Sequence, residues 1–170
     1  LLLDGSTFTV GPNSDLVIDE FVYDPKTASG KLVATFSKGV MRFVGGKLSK
    51  NEGGVQVKTP VGLMGIRGGV ANASVGDGTG FFSLLYGEEL TLQGADGDLQ
   101  RVYERGYGID VGQGVGGPIQ IRQVTDAEAR QFVSQLAGRL GTSGGATIQP
   151  TTQNVQQSGI SSQGSDNDPN

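Results

Sequence analysis

The stretch at residues 55–70 constrains the fold of this chain more than any other. It opens as an alternating strand, with Val55 and Val57 on one face and polar residues between them. Pro60 then removes a backbone donor, and no central strand ladder runs unbroken through a proline. Glycines interleave with apolar residues beyond it, which requires buried side chains beside a backbone that bends, bulges or is closely approached. The stretch therefore predicts a structural corner of a sheet and not a catalytic loop.

Four spaced motifs carry a family resemblance. Three lie upstream of the corner, at residues 3–14, 21–25 and 38–44. The fourth lies within it, at Thr59, Pro60, Gly62, Gly65, Ile66, Arg67, Gly68 and Gly69. In this order they resemble FecR-type domains, in which a Thr-Pro strand precedes an Ile-Arg-Gly turn. The match extends over residues 1–75 and thins beyond. The resemblance implies a β-rich domain on the exported side of the bacterial envelope, in the periplasm or at the cell surface.

Glycine content and alternating segments indicate an all-β fold. The chain has 30 glycines without a collagen period, which is typical of many tight turns between short strands. About ten short strands are predicted, at residues 7–10, 16–23, 31–37, 39–44, 55–58, 70–75, 80–86, 89–93, 99–104, 107–111 and 119–124. Double glycines begin at positions 45, 68 and 116, which are 23 and then 48 residues apart. These spacings are close to one and two units of a common period. We expect a compact β-roll or jelly-roll-like sandwich with some solenoid character.

One helix is predicted after the strands. Thr125 and Glu128 have the spacing of a capping box. An apolar stripe follows at helical spacing, and Gly141 is the expected left-handed stop. The stripe consists of Ala129, Phe132, Val133, Leu136 and Leu140. The sequence thus divides into a β domain at 1–124, a capping helix at 125–141 and a tail at 142–170. The helix is expected to cover an open end or edge of the sheet, or alternatively to dock against a partner.

The tail has the composition of a disordered segment. Gln, Ser, Thr, Asn and Gly dominate it, with isolated apolar residues at Ile148, Val155 and Ile160. A tail of this kind becomes ordered against another surface, so we expect these three residues to form an interface with a second subunit, with lattice packing as the alternative. Extended tails commonly bind by adding to exposed sheet edges.

Charge is distributed in blocks. Five acidic residues and no basic one precede Lys26, whereas eight basic residues and Glu52 alone occupy residues 26–67. One interpretation is that adjacent strands pair these blocks within one sheet. The other is that an acidic and a basic surface meet between copies or partners, where charge complementarity steers association.

The residue types that the chain lacks exclude several kinds of catalysis. The chain has no histidine and no cysteine, which excludes Ser-His-Asp hydrolysis and thiol nucleophiles. The adjacent acids at 19–20 and 88–89 point to opposite faces of their strands, so we expect them on the solvated surface. The basic block lacks interleaved aromatic side chains free to stack on bases, so no nucleic-acid partner is expected. We predict no catalytic residue and no enzyme activity.

Two glycine- and acid-rich segments match the residue patterns of cofactor sites but lack the sequence context that such sites require. Residues 112–117 match the dinucleotide-binding pattern, but Pro118 and a strand follow where the phosphate-binding helix should begin. Asp96 and Asp98 resemble part of a calcium loop without its third acid. We therefore predict no cofactor and no metal site.

These observations favour a non-enzymatic exported module that acts as a scaffold or self-associating structural subunit. Its partners would be copies of itself or an envelope assembly. No apolar run reaches the length of a membrane span. The alternative is a periplasmic signal-transduction module of a FecR-type anti-sigma regulator, which would carry a membrane span upstream of Leu1.

Overall fold

The structure is a computed structural model that describes residues 1–113 and 117–138. These residues form one nine-stranded sheet, curled into a half-barrel, and one helix, which confirms the predicted all-β class with a C-terminal helix. The strands are β1 (Thr7–Val10), β2 (Asp15–Asp24), β3 (Ser29–Val44), β4 (Val55–Thr59), β5 (Gly62–Gly76), β6 (Thr79–Gln93), β7 (Leu99–Val102), β8 (Tyr107–Val111) and β9 (Ile119–Gln123), and the helix is α1 (Asp126–Ala137). The predicted tail lies outside the described residues.

Strands β3, β5 and β6 form the backbone of the sheet. β1 and β2 pair antiparallel with different halves of β3, and β4 pairs with its first half in parallel. β5 pairs antiparallel with the second half of β3 and with β6 in a long hairpin. β7 and β8 pair with opposite ends of β6, and β9 pairs with β8. Each central strand therefore contacts several partners along its length.

The core lies on the inner face of the curl. Alternate residues of the long strands point to this face, among them Phe36, Phe43 and Phe82, all fully buried. Methionines and aliphatic side chains from β3 to β8 fill the space between them. The residues in between point to the outer face, where the helix lies.

Strands β3 and β5 exchange faces at glycines. In β3, Leu32, Ala34 and Phe36 are buried in the core before Gly39, whereas Met41 and Phe43 are buried after it. Because side chains alternate with a period of two, one irregular residue moves every later side chain to the opposite face. The predicted end of a strand at residue 37 is wrong. β3 is continuous, and so is β6, where two strands were predicted.

A buried polar cluster holds the crossover between β3 and β4. The carboxylate of Asp4 accepts hydrogen bonds from the backbone N–H and the hydroxyl of Ser6, at 3.0 and 2.7 Å. It also accepts one from the N–H of Leu48, and the Ser6 hydroxyl accepts one from the N–H of Gly46 at 3.0 Å. Leu48 begins a single 3₁₀ turn, Leu48–Lys50, within the crossover. The first described residues are thereby joined to a loop 40 or more positions away.

The charge blocks meet within the sheet. Asp15 on β2 lies opposite Lys38 on β3, and the carboxylate of Glu20 lies 4.0 Å from the ammonium of Lys31. Both side chains of the second pair are about half exposed, so the pair adds little stability. The arrangement agrees with the first of the two interpretations, in which neighbouring strands pair the charges.

The helix begins as predicted and ends earlier. Thr125 accepts a hydrogen bond from the N–H of Glu128, whose carboxylate accepts one from the N–H of Thr125, which confirms the capping box. α1 ends at Ala137, and Gly138 with φ 73° is its C-cap, three positions before the predicted Gly141. Glycine readily adopts the positive φ that ends a helix, and Gly138 is the first glycine after the apolar stripe begins. Residues 139–141 lie outside the described residues.

Candidate functional site

A row of side chains crosses the outer face of the sheet beneath α1. The register aligns Arg42 on β3 with Asn72 on β5, Asn72 with Ser83 on β6, and Arg122 on β9 with Gly108 on β8. Gly108 in turn lies opposite Ser83, which completes a row through five strands. On β3, β5 and β6 these positions alternate with core residues. The row therefore places two arginines at its ends and two buried polar side chains between them.

Arg122 anchors the helix to the sheet. Its Nε lies 2.8 Å from a carboxylate oxygen of Asp110, and its Nη2 lies 2.7 Å from one of Glu128. The guanidinium carbon also lies 4.3 Å from the centroid of the Phe81 ring. The hydrogen bond from Arg122, followed by that from the backbone of Thr125, lowers the pKa of Glu128 to about 2. Hydrogen bonds to Glu128 and Asp110 raise the pKa of Arg122, which is thus fully paired.

Arg42 has no such partner. Its Nε donates a hydrogen bond to Oδ1 of Asn72 at 2.8 Å, and its guanidinium carbon lies 5.8 Å from the ring centroid of Phe132 on α1. Among the described residues no carboxylate pairs with it. Burial lowers its pKa, and no neighbouring acid opposes the shift. The side chain is thus a partly desolvated positive charge, and its two terminal nitrogens have no acceptor among residues 1–113 and 117–138.

The space between α1 and the row is a groove of about 510 Å³. Arg42, Asn72, Ser74 and Ser83 line its floor, and aromatic and aliphatic side chains line its walls. The wall residues include Phe81, Leu85, Val124, Phe132 and Val133. Six further polar side chains complete the lining: Arg122, Thr125, Asp126, Glu128, Gln131 and Gln135. The groove thus combines apolar patches with hydrogen-bonding and charged groups, a combination found in ligand sites. Its hydroxyl–carboxylate pair, Thr125 and Glu128 at 2.9 Å, belongs to the capping box of α1.

The groove was not predicted from the sequence. The apolar stripe of α1 was, and it faces the sheet with Leu136 fully buried and Phe132 and Val133 half-buried, although Ala129 is exposed. Its floor comes from three strands separated by about 30 and 10 positions in the sequence. The one local signal was a polar residue, such as Asn72, within a run of small buried residues.

The FecR-like motif lies elsewhere in the sheet. Thr59 and Gly62 pair across the β4–β5 turn that contains Pro60, and the Thr59 hydroxyl donates to the Gly62 carbonyl at 2.7 Å. Ile66 is buried in the core, whereas Arg67 is exposed with its Nε 2.8 Å from Glu88. Gly65, Ile66 and Arg67 line a shallow groove of about 200 Å³ on the outer face. None of these residues lines the groove beneath α1.

The predicted corner is a point where a continuous strand exchanges faces. Met64 and Ile66 are buried in the core before Gly68, and Ala71 and Ala73 after it. The pairing between β5 and β6 shifts register directly after Val70. The chain reverses at the β4–β5 turn around Pro60, whereas at Gly68 it does not, because β6 follows β5 through both halves of the hairpin.

One predicted surface residue is buried. Glu89 was expected in solvent beside Glu88, but its side chain is only 8% exposed and lies 2.6 Å from Nη1 of Arg101. Glu88 itself is exposed, as expected of its opposite face. The burial of Glu89 comes from the neighbouring strand β7, whose position the local sequence does not specify.

The remaining predicted positions are exposed or lie outside the described residues. Asp96 and Asp98 are exposed, and residues 1–113 and 117–138 contain no group of three or more acids placed to hold a metal ion. In the same ranges no helix has the length and apolarity to cross a membrane. Ile148, Val155 and Ile160 lie outside the described residues, as does the middle of residues 112–117.

Comparison with known proteins gives matches in structure alone. No family model and no curated protein sequence matches the chain. Two crystal structures from Parabacteroides distasonis ATCC 8503, each provisionally described as an anti-sigma factor, share its fold with TM-scores of 0.58 and 0.57. Both are 16% identical over 77% of this chain. The chain spans 57% of the length of each.

Proposed function

We propose that the chain is a periplasmic signal-transduction module of a FecR-type anti-sigma regulator, and that it acts by binding protein and not by catalysis. The observation that carries the proposal is the fold shared with structures provisionally described as anti-sigma factors, which extends over 77% of the chain. The FecR-like motifs of residues 1–75 support the same class. The absence of histidine and cysteine from the sequence agrees with a binding role.

The FecR-like segments supply the framework of the sheet. Asp4 and Ser6 hold the crossover, residues 38–44 pair with both β1 and β5, and Thr59 closes the β4–β5 turn. A family signature is expected at positions that a fold requires, whereas partner choice resides in exposed side chains. This distribution supports a common fold that carries a chain-specific surface.

We place the signal-sensitive element at α1. The helix is held by the Arg122 ion pairs and by the burial of Leu136. A partner that competes for Arg122 or enters the groove would move the helix relative to the sheet. Local elements with few buried contacts are those that move at low cost in free energy.

Transcription in the bacterium that carries the gene tests the proposal. Removal of the codons for residues 1–138 should change transcription of one regulon controlled by an alternative sigma factor, with the rest of the transcriptome unaltered. The double variant R122Q/E128Q, which releases the helix and keeps the core, should change the same regulon. The single variant Gly76→Ala, at a position where an added Cβ meets nothing within 4 Å, serves as the control. An unchanged transcriptome after the deletion would contradict a signalling role.

The scaffold role expected from the tail stays a prediction. Light scattering on the 170-residue chain and on a chain ending at Gly141 tests it, because a tail-mediated assembly should lose mass beyond that of the removed residues. Equal oligomeric states would exclude the tail from assembly.

A further inference from the structure

The groove beneath α1 contains a charge that the described residues do not balance. Arg42 lies on its floor, partly buried, with Nε bonded to Asn72 and with no acceptor among the described residues at either terminal nitrogen. Neither nitrogen is a buried atom without a partner, so both can be reached from the groove. Arg122, at the other end of the same row, has two carboxylates. Within the described residues Arg42 is thus the unpaired cation of this row, and partial desolvation makes pairing with an anion favourable.

The acids near the groove either pair with Arg122 or lie far along the helix from Arg42. Glu128 and Asp110 are bound to Arg122. Asp126 also lines the groove, but it lies in the first turn of α1, whereas Phe132 beside Arg42 is six residues later, about 9 Å along the helix axis. Among the described residues, Arg42 therefore has no carboxylate within ion-pair distance.

We propose that this groove binds a carboxylate attached to an apolar body, with Arg42 as the residue that holds the anion. The planar guanidinium fork presents two parallel N–H donors, the geometry that a single carboxylate accepts. One cation suits a monoanion better than a phosphate dianion. Ser74 and Ser83 on the same floor offer hydroxyl donors to the remaining lone pairs.

The walls define the rest of the ligand. Phe81 and Phe132 flank the polar floor, and Leu85 and Val124 extend the apolar surface. A phenyl or branched alkyl group would bury its surface there, and aromatic pairs favour offset or edge-to-face contacts. The volume of about 510 Å³ lies within the range of small-molecule sites. A free organic acid and the carboxyl-terminal residue of a peptide share this chemistry.

Backbone amide NMR of the full-length chain tests the assignment. Hydrocinnamate and acetyl-Ala-Ala-Phe with a free carboxyl terminus are the two probes, each compared with its amide. We expect at least one acid to shift the signals of residues near Arg42, Asn72 and Ser83, and its amide to bind roughly tenfold to a hundredfold more weakly. Binding of hydrocinnamate would identify a free acid as the ligand class, and binding of the peptide alone a protein terminus.

Three variants connect any binding to Arg42. R42Q should reduce affinity by a similar factor, whereas R105Q should not, since Arg105 stacks on Tyr86 outside the groove. Q135E adds a carboxylate on the exposed wall of the groove and should weaken binding without loss of folding, which keeps the test valid if R42Q fails to fold. Equal affinity for acid and amide, no shift with either acid, or unchanged binding by Q135E would overturn the proposal. Carboxylate binding does not require the chain to be a signalling module.

Discussion

The carboxylate of Asp4 and the backbone N–H of Leu48 form a buried hydrogen bond in which Oδ2 and N are 3.2 Å apart. Both residues lie at the edge of the core, and Leu48 is fully buried. The same carboxylate satisfies two donors of Ser6. One acidic side chain thus determines how the start of the chain meets the β3–β4 crossover.

Replacement of Asp4 by alanine should destabilise the fold strongly. Three hydrogen bonds to a charged acceptor are lost, and the N–H of Leu48 is left buried without a partner. We expect a loss of about 3 kcal/mol in the free energy of unfolding, measured by urea denaturation. D98N, at an exposed aspartate, should change it by less than about 0.5 kcal/mol. A similar small effect in the Asp4 variant would show that the cluster is not structural.

Gly69→Ala should disrupt the face exchange in β5. Gly69 has φ 150°, and an added Cβ would collide with the carbonyl oxygen of Tyr86 on the opposite strand. The added Cβ is fixed to the backbone of β5, and the oxygen belongs to the backbone of β6. The collision is therefore relieved only if the two strands separate. We expect a loss of about 2 kcal/mol or more, measured as a lower denaturation midpoint. Gly76→Ala, where the Cβ has open space, should leave the midpoint unchanged.

Acid should release α1 through Glu128. Because the folded-state pKa of Glu128 is lowered to about 2 from an ordinary value of 4.5, its ion pair contributes stability above pH 4.5 and loses it as the pH falls towards 2. The thermal midpoint of E128Q should lie below that of the natural chain at pH 7, and the two should converge near pH 2. D126N, which removes an exposed acid of the same turn, should keep the natural pH profile. Parallel profiles for E128Q and the natural chain would contradict this assignment.

Leu136→Ala should detach the helix and spare the sheet. Leu136 is the one described helix residue that is fully buried, and truncation of such a leucine costs about 3 kcal/mol. The core cluster on the inner face does not include it. Hydrogen exchange should therefore accelerate at α1 amides while β3 and β5 amides stay protected. R130A, at an exposed position of α1, is the control. Equal acceleration in helix and sheet would indicate that the two unfold together.

Local patterns predicted those elements whose signals lie within a few residues. The capping box of Thr125 and Glu128 needs only a hydroxyl and a carboxylate three positions apart. The interruption of the strand ladder at Pro60 was predicted in the same way, because proline cannot donate to a ladder. Gly141 was predicted as the helix stop, whereas the structure ends the helix at Ala137 with Gly138 as its C-cap.

The glycine breaks were misinterpreted for a physical reason. At Gly39 and at Gly68 the alternation of apolar residues changes phase, which in sequence resembles the end of one strand and the start of another. Pairing with distant strands keeps the backbone extended through both points. A change of phase within a strand and a gap between strands give the same local pattern.

By itself the sequence determined the all-β class, the capped helix and the lack of histidine and thiol chemistry, because these depend on residue types and short spacings. Only the tertiary structure decided that Arg42, Asn72, Ser83 and Arg122 share one row, since strand register brings them together from separate segments. The tertiary structure also decided that Arg122 is paired with carboxylates, whereas Arg42 has none among the described residues. Charge pairing depends on distances of a few ångströms between strands, and no local pattern encodes those distances.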